Sequence, residues 1–141
     1  MIVIATRDEL PLVGDTAEPV LITGVGAVNV INALRDIPRS TPIHNVGYAG
    51  SNKLPLGTRC RIGKVKAYHP SACFEDREYV LDGSIPCYTA GDFVTSADIE
   101  EPCVFDMELA YILALGFYNV TAEKIVSDNL SMEEYEECLR K

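Results

Sequence analysis

The amino-acid sequence predicts an α/β domain, a three-layer arrangement in which helices flank a central mixed, largely parallel sheet. Two observations predict it. Apolar runs of strand length alternate with segments whose apolar residues recur at helical spacing. Glycine and proline sit at the junctions, where the chain must turn. With 141 residues, the chain suits one compact domain over 1–141.

Residues 2–6 read as a short apolar strand that ends at Arg7-Asp8-Glu9. Pro11, Gly14 and Pro19 break the chain into a loop. Residues 20–23 read as a second buried strand. Gly24-Val25-Gly26 turns it into a helix over 27–37, with Val28, Ile31 and Leu34 at inward spacing, and Pro38 and Pro42 close that helix. Residues 43–46 form a third strand leading into Gly47-Tyr48-Ala49-Gly50. After the turn Pro55-Leu56-Gly57, residues 58–68 alternate as a longer strand with Arg59, Arg61 and Lys64 facing out. The least regular segment, 69–86, reads as an exposed excursion. Residues 85–89 are strand-like, followed by Gly91-Asp92-Phe93-Val94 and a loop to Pro102.

The stretch 105–128 is the part around which the rest is organised. Glu108 is the only charge from Met107 through Ala122, and Leu109, Ile112, Leu113 and Leu115 around it read as a mostly buried helix. Gly116 ends that helix in a left-handed turn. Residues 120–126 have strand character and stop at Ser127-Asp128. One carboxylate opens a buried helix and another closes a strand, and each needs a reason, because an unpaired buried charge is expensive. Ser131 and Glu134 form a capping box for a last helix with Met132, Tyr135 and Leu139 on its inward face. Glu9, Gly24, Gly47, Phe93 and Asp128 all lie just past a strand, where open α/β sheets place their ligand crevice.

Composition excludes several classes. A net charge of −9 with scattered basic residues argues against nucleic-acid binding, which needs clustered Lys and Arg. No apolar run reaches the roughly 20 residues of a membrane span. Residues 1–5 are too short for a signal-peptide core, which leaves the cytoplasm as the expected compartment. The five cysteines, 60, 73, 87, 103 and 138, are odd in number and lack a CxxC, so free thiols are expected rather than disulfides or a zinc site. Gly24-x-Gly26 with Asn29 falls short of a dinucleotide fingerprint, because no acid closes the next strand.

Five motifs in order resemble those of the purine nucleoside phosphorylase superfamily, and in particular of its 5′-methylthioadenosine/S-adenosylhomocysteine nucleosidases. Thr23-Gly-Val-Gly26 resembles S-G-I-G, and Asn45-Val-Gly-Tyr-Ala-Gly50 resembles N-T-G-S-A-G. Leu56-Gly-Thr58 with Tyr68-His69 resembles V-G-D and Y-H. Asp106-Met-Glu108 resembles E-M-E, and Ser127-Asp128 resembles the S-D that ends the last long strand. The resemblance implies roles. Asp128 would hold or donate a proton at purine N7. Glu108 would accept from the ribose hydroxyls with Met107 packed on the sugar. Glu9 would orient or deprotonate the attacking water, and Phe93 would stack on the base. Ser127, Gly24 and Gly47 would complete the substrate contacts. No cofactor or metal is implied, and a homodimer is.

These types suit N-glycosidic cleavage. An oxocarbenium-like state wants an acid at the leaving group and a carboxylate near sugar and water. Phosphorylases of the superfamily carry R-x-G-S where this chain has Asn45-Val-Gly-Tyr48, so hydrolysis is expected over phosphorolysis. The departures are Tyr48 for the family's serine, Asp106 for its glutamate, a Gly91-Asp92-Phe93 one residue tighter than its G-D-x-F, and shortened segments after the first strand, before residue 85 and at the last helix. They keep a non-catalytic nucleoside-binding or scaffold relative as the alternative. Simpler readings stand beside the catalytic ones: Glu108 as a helix-dipole partner with Asp106 as cap, Asp128 in an Asx turn, Glu9 on a solvated face, Phe93 in the core, and His69 at the surface.

Overall fold

The computed structural model describes residues 1–68 and 77–141. In order these form β1 (Ile2–Ile4), a 3-10 turn (Arg7–Glu9), α1 (Leu10–Val13), β2 (Val20–Ile22), α2 (Ala27–Leu34), β3 (Ile43–Ser51), β4 (Arg59–Tyr68), β5 (Glu78–Val80), β6 (Ile85–Ala90), β7 (Val104–Asp106), α3 (Leu109–Ala114), β8 (Val120–Asp128) and α4 (Met132–Leu139). The expected mixed sheet with flanking helices is present, and it closes on itself. β3 pairs with β8 in parallel and with β7 antiparallel; β6 pairs in parallel with β7 and β4; β4 meets β8 antiparallel. These five strands therefore form a ring. β1 and β2 extend from β3, and β5 from β4.

The long strands allow this closure. One edge of β3 carries β8; its other edge carries β1 at His44 and Asn45 and β7 at Gly50 and Ser51. Val30 and Leu34 of α2, Ile62 and Val65 of β4, and Leu109 and Ile112 of α3 are wholly buried in one cluster. Each side chain of this size contributes about 1.5–3 kcal/mol by leaving water.

Several elements differ from the sequence reading. Val30 and Leu34 face the core, whereas Val28 is 71% and Ile31 43% exposed, so the buried stripe of α2 has an i, i+4 phase instead of the expected one. β2 is an edge strand and only half-buried, because β1 alone pairs with it. β3 runs on through both glycines to Ser51, and β8 continues through Ser127-Asp128. β5 lies in the segment read as an excursion, and β7 between the expected loop and helix; strands of three residues are too short to show a period. His69 and the rest of 69–76 lie outside the described residues. Ser131 caps α4 by accepting from Glu134 N at 3.2 Å, but the Glu134 carboxylate takes Asn129 N rather than completing the box. No residue of α4 is fully buried.

Candidate active site

Three acids from three elements meet in one hollow. It has a volume of ≈ 250 Å³, and Glu9, Met107, Glu108, Phe93, Ser127 and Asp128 all line it. Gly24 and Gly47, the other two residues singled out in the sequence, do not line it; Gly47 stands behind Glu9, and Gly24 packs against Asn29. Gly47 holds the wall open. A Cβ there would lie 2.6 Å from Glu9 Oε2 and 3.4 Å from Lys124 Nζ, so only glycine leaves both groups their space. Gly47→Ala is expected to cost about 1–3 kcal/mol by overpacking and to push the Glu9 carboxylate out of place. Urea denaturation measures the first effect, and a loss of ligand-induced stabilisation the second.

Glu9 is buried at the end of the 3-10 turn, not on a solvated face. Its Oε1 accepts from Ala5 N at 2.7 Å and Thr6 N at 3.3 Å, and its Oε2 from Tyr48 N at 2.7 Å. These amides orient the carboxylate yet leave Oε2 with room for a further donor, since each carboxylate oxygen offers two lone pairs.

Glu108 precedes α3, but its carboxylate turns away from that helix. Oε2 accepts from Gly26 N, the amide that opens α2, at 3.0 Å. Asp106 does the capping, with Oδ2 accepting from Leu109 N at 2.8 Å and Glu108 N at 3.3 Å. Burial, then repulsion by Asp106, pushes Glu108 up to about 7, against the opposing pull of Lys124 and the Gly26 amide. A carboxyl raised on folding binds its proton more tightly in the folded chain. Stability is therefore fully present below 4.5, the ordinary Glu value, and falls as pH rises from there to about 7. The loss is on the order of 3 kcal/mol. Glu108→Gln is expected to flatten that slope in denaturant midpoints measured across this pH window.

Asp128 is 1% exposed at the end of β8. Oδ1 lies 2.6 Å from Ser127 Oγ, and Oδ2 accepts from Ser131 N at 3.2 Å. Leu130, at φ 63, makes the left-handed step that brings Ser131 back onto the carboxyl. Burial raises the Asp128 carboxyl above the ordinary carboxylate range, while the Ser127 hydroxyl and the Ser131 amide partly offset it.

The remaining wall includes Phe93, which the sequence named, and Phe105, which it missed. Phe93 faces Tyr135 of α4 with ring centroids 5.5 Å apart, and Phe105 of β7 also lines the hollow. Tyr48 forms part of the wall. Lys124 is the largest missed residue. It is 1% exposed, and its Nζ lies 3.1 Å from Asp106 Oδ2. Strict alternation along β8 puts 120, 122, 124 and 126 on one face, which is the signal that finds it.

The fold of this chain is that of solved 5′-methylthioadenosine/S-adenosylhomocysteine nucleosidase structures. The solved structures similar to this chain include a nucleosidase of that kind from Chlamydia trachomatis, with a TM-score of 0.79 at 18% identity over 99% of this chain and 86% of that one. Another is the S-adenosylhomocysteine nucleosidase of Streptococcus pyogenes in complex with 5-methylthiotubericidin, at 0.77 and 15% over 98% and 88%. A third is the nucleosidase of Colwellia psychrerythraea 34H in complex with adenine, at 0.76 and 15% over 98% and 86%. At such identities the likeness is one of fold. No family model matches the chain, and no curated protein matches it by sequence.

Proposed function

We propose that this protein hydrolyses the N-glycosidic bond of a purine nucleoside of the methylthioadenosine or adenosylhomocysteine kind and releases adenine. The observation that carries this is the convergence of Asp128, Glu108 and Glu9 on one hollow. In this reading Asp128, held protonated nearer neutrality than an ordinary aspartate, gives its proton to N7. The C1′–N9 bond breaks and its electron pair stays with the base. Glu108 accepts from the ribose hydroxyls, with Met107 against the sugar. Water adds to C1′ and passes its proton to Glu9. Ser127 supports Asp128, Phe93 and Phe105 flank the base, and Gly47 acts through the wall. Fold neighbours bound to MTA and to adenine support this class of ligand. Among the described residues no lysine or arginine lines the hollow, which favours water over phosphate as the nucleophile.

The same reading includes a cytoplasmic homodimer paired through the exposed apolar residues Val25, Val28 and Ile31 beside the hollow. Sedimentation velocity checks the dimer. Among the described residues, no helix is long and apolar enough to cross a membrane.

The test of the activity is an assay for free base with methylthioadenosine, adenosylhomocysteine, adenosine and inosine, each with and without phosphate. Phosphate-independent adenine is the expected result. Base released only with phosphate makes the protein a phosphorylase. A thermal shift with a nucleoside but no base makes it a binding relative.

A further inference from the structure

The hollow has a neighbour. A second chamber of ≈ 350 Å³ is lined, among the described residues, by Tyr68 at the end of β4, Ala90 at the end of β6, and Val94, Thr95 and Ser96 of the loop that follows. A gap of ≈ 30 Å³ lies between chamber and hollow, bordered by Asp128, Phe105, Met107 and Val94. Asp92 and Phe93 border all three spaces. An aromatic wall runs the same way. The ring of Phe105, in the hollow, lies edge-on to the ring of Tyr68, in the chamber, with centroids 5.4 Å apart.

A gap of that size has room for roughly one or two waters. It passes a link of an atom or two, but not a sugar or a ring. A ligand that used both rooms would be two bulky parts on a short join. The lining also shows from which end of the hollow the gap opens. Asp128, Phe93 and Phe105 border it, whereas Glu9 and Glu108 do not, and of the residues set against the sugar only Met107 does. The gap opens at the end assigned to the base.

We propose that the chamber takes a substituent carried on the 6-amino nitrogen of the base, so that the substrates include N6-alkyl and N6-arylmethyl adenine nucleosides. This rests on the nucleosidase reading and its placing of Asp128 at N7. On adenine, N7 and the 6-amino group share one edge. A base that meets Asp128 through N7 therefore turns its 6-amino nitrogen to the gap that Asp128 borders, and that nitrogen is the short join. Asp92 favours a join that keeps an N–H. Its Oδ1 accepts from Phe93 N at 2.9 Å, and the carboxylate has lone pairs for a further donor. A monosubstituted amino group supplies one; an ether or thioether at C6 does not. Beyond the gap, the rings of Phe93 and Tyr68 and the side chain of Val94 offer an apolar bed for an alkyl or benzyl group. The bond broken is still C1′–N9, and its electron pair leaves with the N6-substituted adenine.

The experiment compares N6-benzyladenosine, adenosine and adenosylhomocysteine by dissociation constant and by base release, on the parent chain and on Thr95→Trp. Thr95 and Ser96 are both exposed, so a large side chain at either is compatible with folding, and Ser96→Trp serves as the second blocking variant. The parent should bind N6-benzyladenosine about tenfold or more tighter than adenosine, the gain from burying a phenyl ring. Blocking the chamber should cut that ratio by about tenfold. Three results overturn the proposal and leave the nucleosidase reading standing: adenosine bound with N6-benzyladenosine rejected, a ratio unchanged in both blocked variants, or a loss that falls on adenosylhomocysteine instead, which gives the chamber to the 5′ group. Binding of none of the three nucleosides removes the nucleosidase reading, and the chamber's role with it.

Discussion

Asp128→Asn is expected to lower kcat for base release by about 10²–10⁴-fold, the range that a positioned general acid contributes. The amide fits the same place. Its oxygen can take the Ser131 amide, and its NH2 can donate to Ser127 Oγ, whose hydroxyl then turns to Ala49 O, 3.4 Å away. Only the transferable proton is lost. The variant should bind nucleoside, keep a thermal midpoint within a few degrees of the parent, and fail at bond cleavage. Single-turnover measurement of base release beside a thermal melt reads both. A folded Asp128→Asn that turns over at the parental rate removes Asp128 as the acid.

Asp106→Ala should have the largest effect on stability. It strands the Lys124 ammonium in a site where 1% of the lysine reaches water. Breaking a buried pair in this way costs about 3–5 kcal/mol. It also uncaps α3, which has six residues and cannot stand alone. At this chain length the combined loss lowers the melting midpoint by roughly 10–20 °C. Asp106→Asn should cost far less, since its oxygen can still face Lys124 and the two amides while its NH2 donates to Thr89 Oγ1. Thermal and denaturant unfolding of the two variants, compared directly, checks the ranking. An alanine variant as stable as the asparagine one shows that the ammonium has found water.

The sequence was most informative where a residue type made no sense without a partner. Glu108 on an otherwise apolar stretch and Asp128 at the end of a strand stood out because burial penalises charge. The strands and helices around them were legible from period and punctuation. The phase of α2 was not. Eight residues hold barely two turns, and two inward stripes fit them equally well until the sheet beneath selects Val30 and Leu34. Lys124 was legible in principle from the alternation of β8, but a lysine on a strand ordinarily faces water, and nothing local says otherwise.

The sequence by itself determined the α/β class, the order of most elements and the acids that would need company, because these depend on interactions between neighbours in the chain. The tertiary structure alone decided that β8 closes the ring by pairing with both β3 and β4. It decided that the Glu108 carboxylate reaches the head of α2 instead of its own helix, and that the Lys124 ammonium is buried against Asp106. Those outcomes rest on contacts between residues as far apart as Gly26 and Glu108. Such contacts form only when hydrophobic burial brings distant segments together, and the low dielectric thus created gives each misplaced charge its cost.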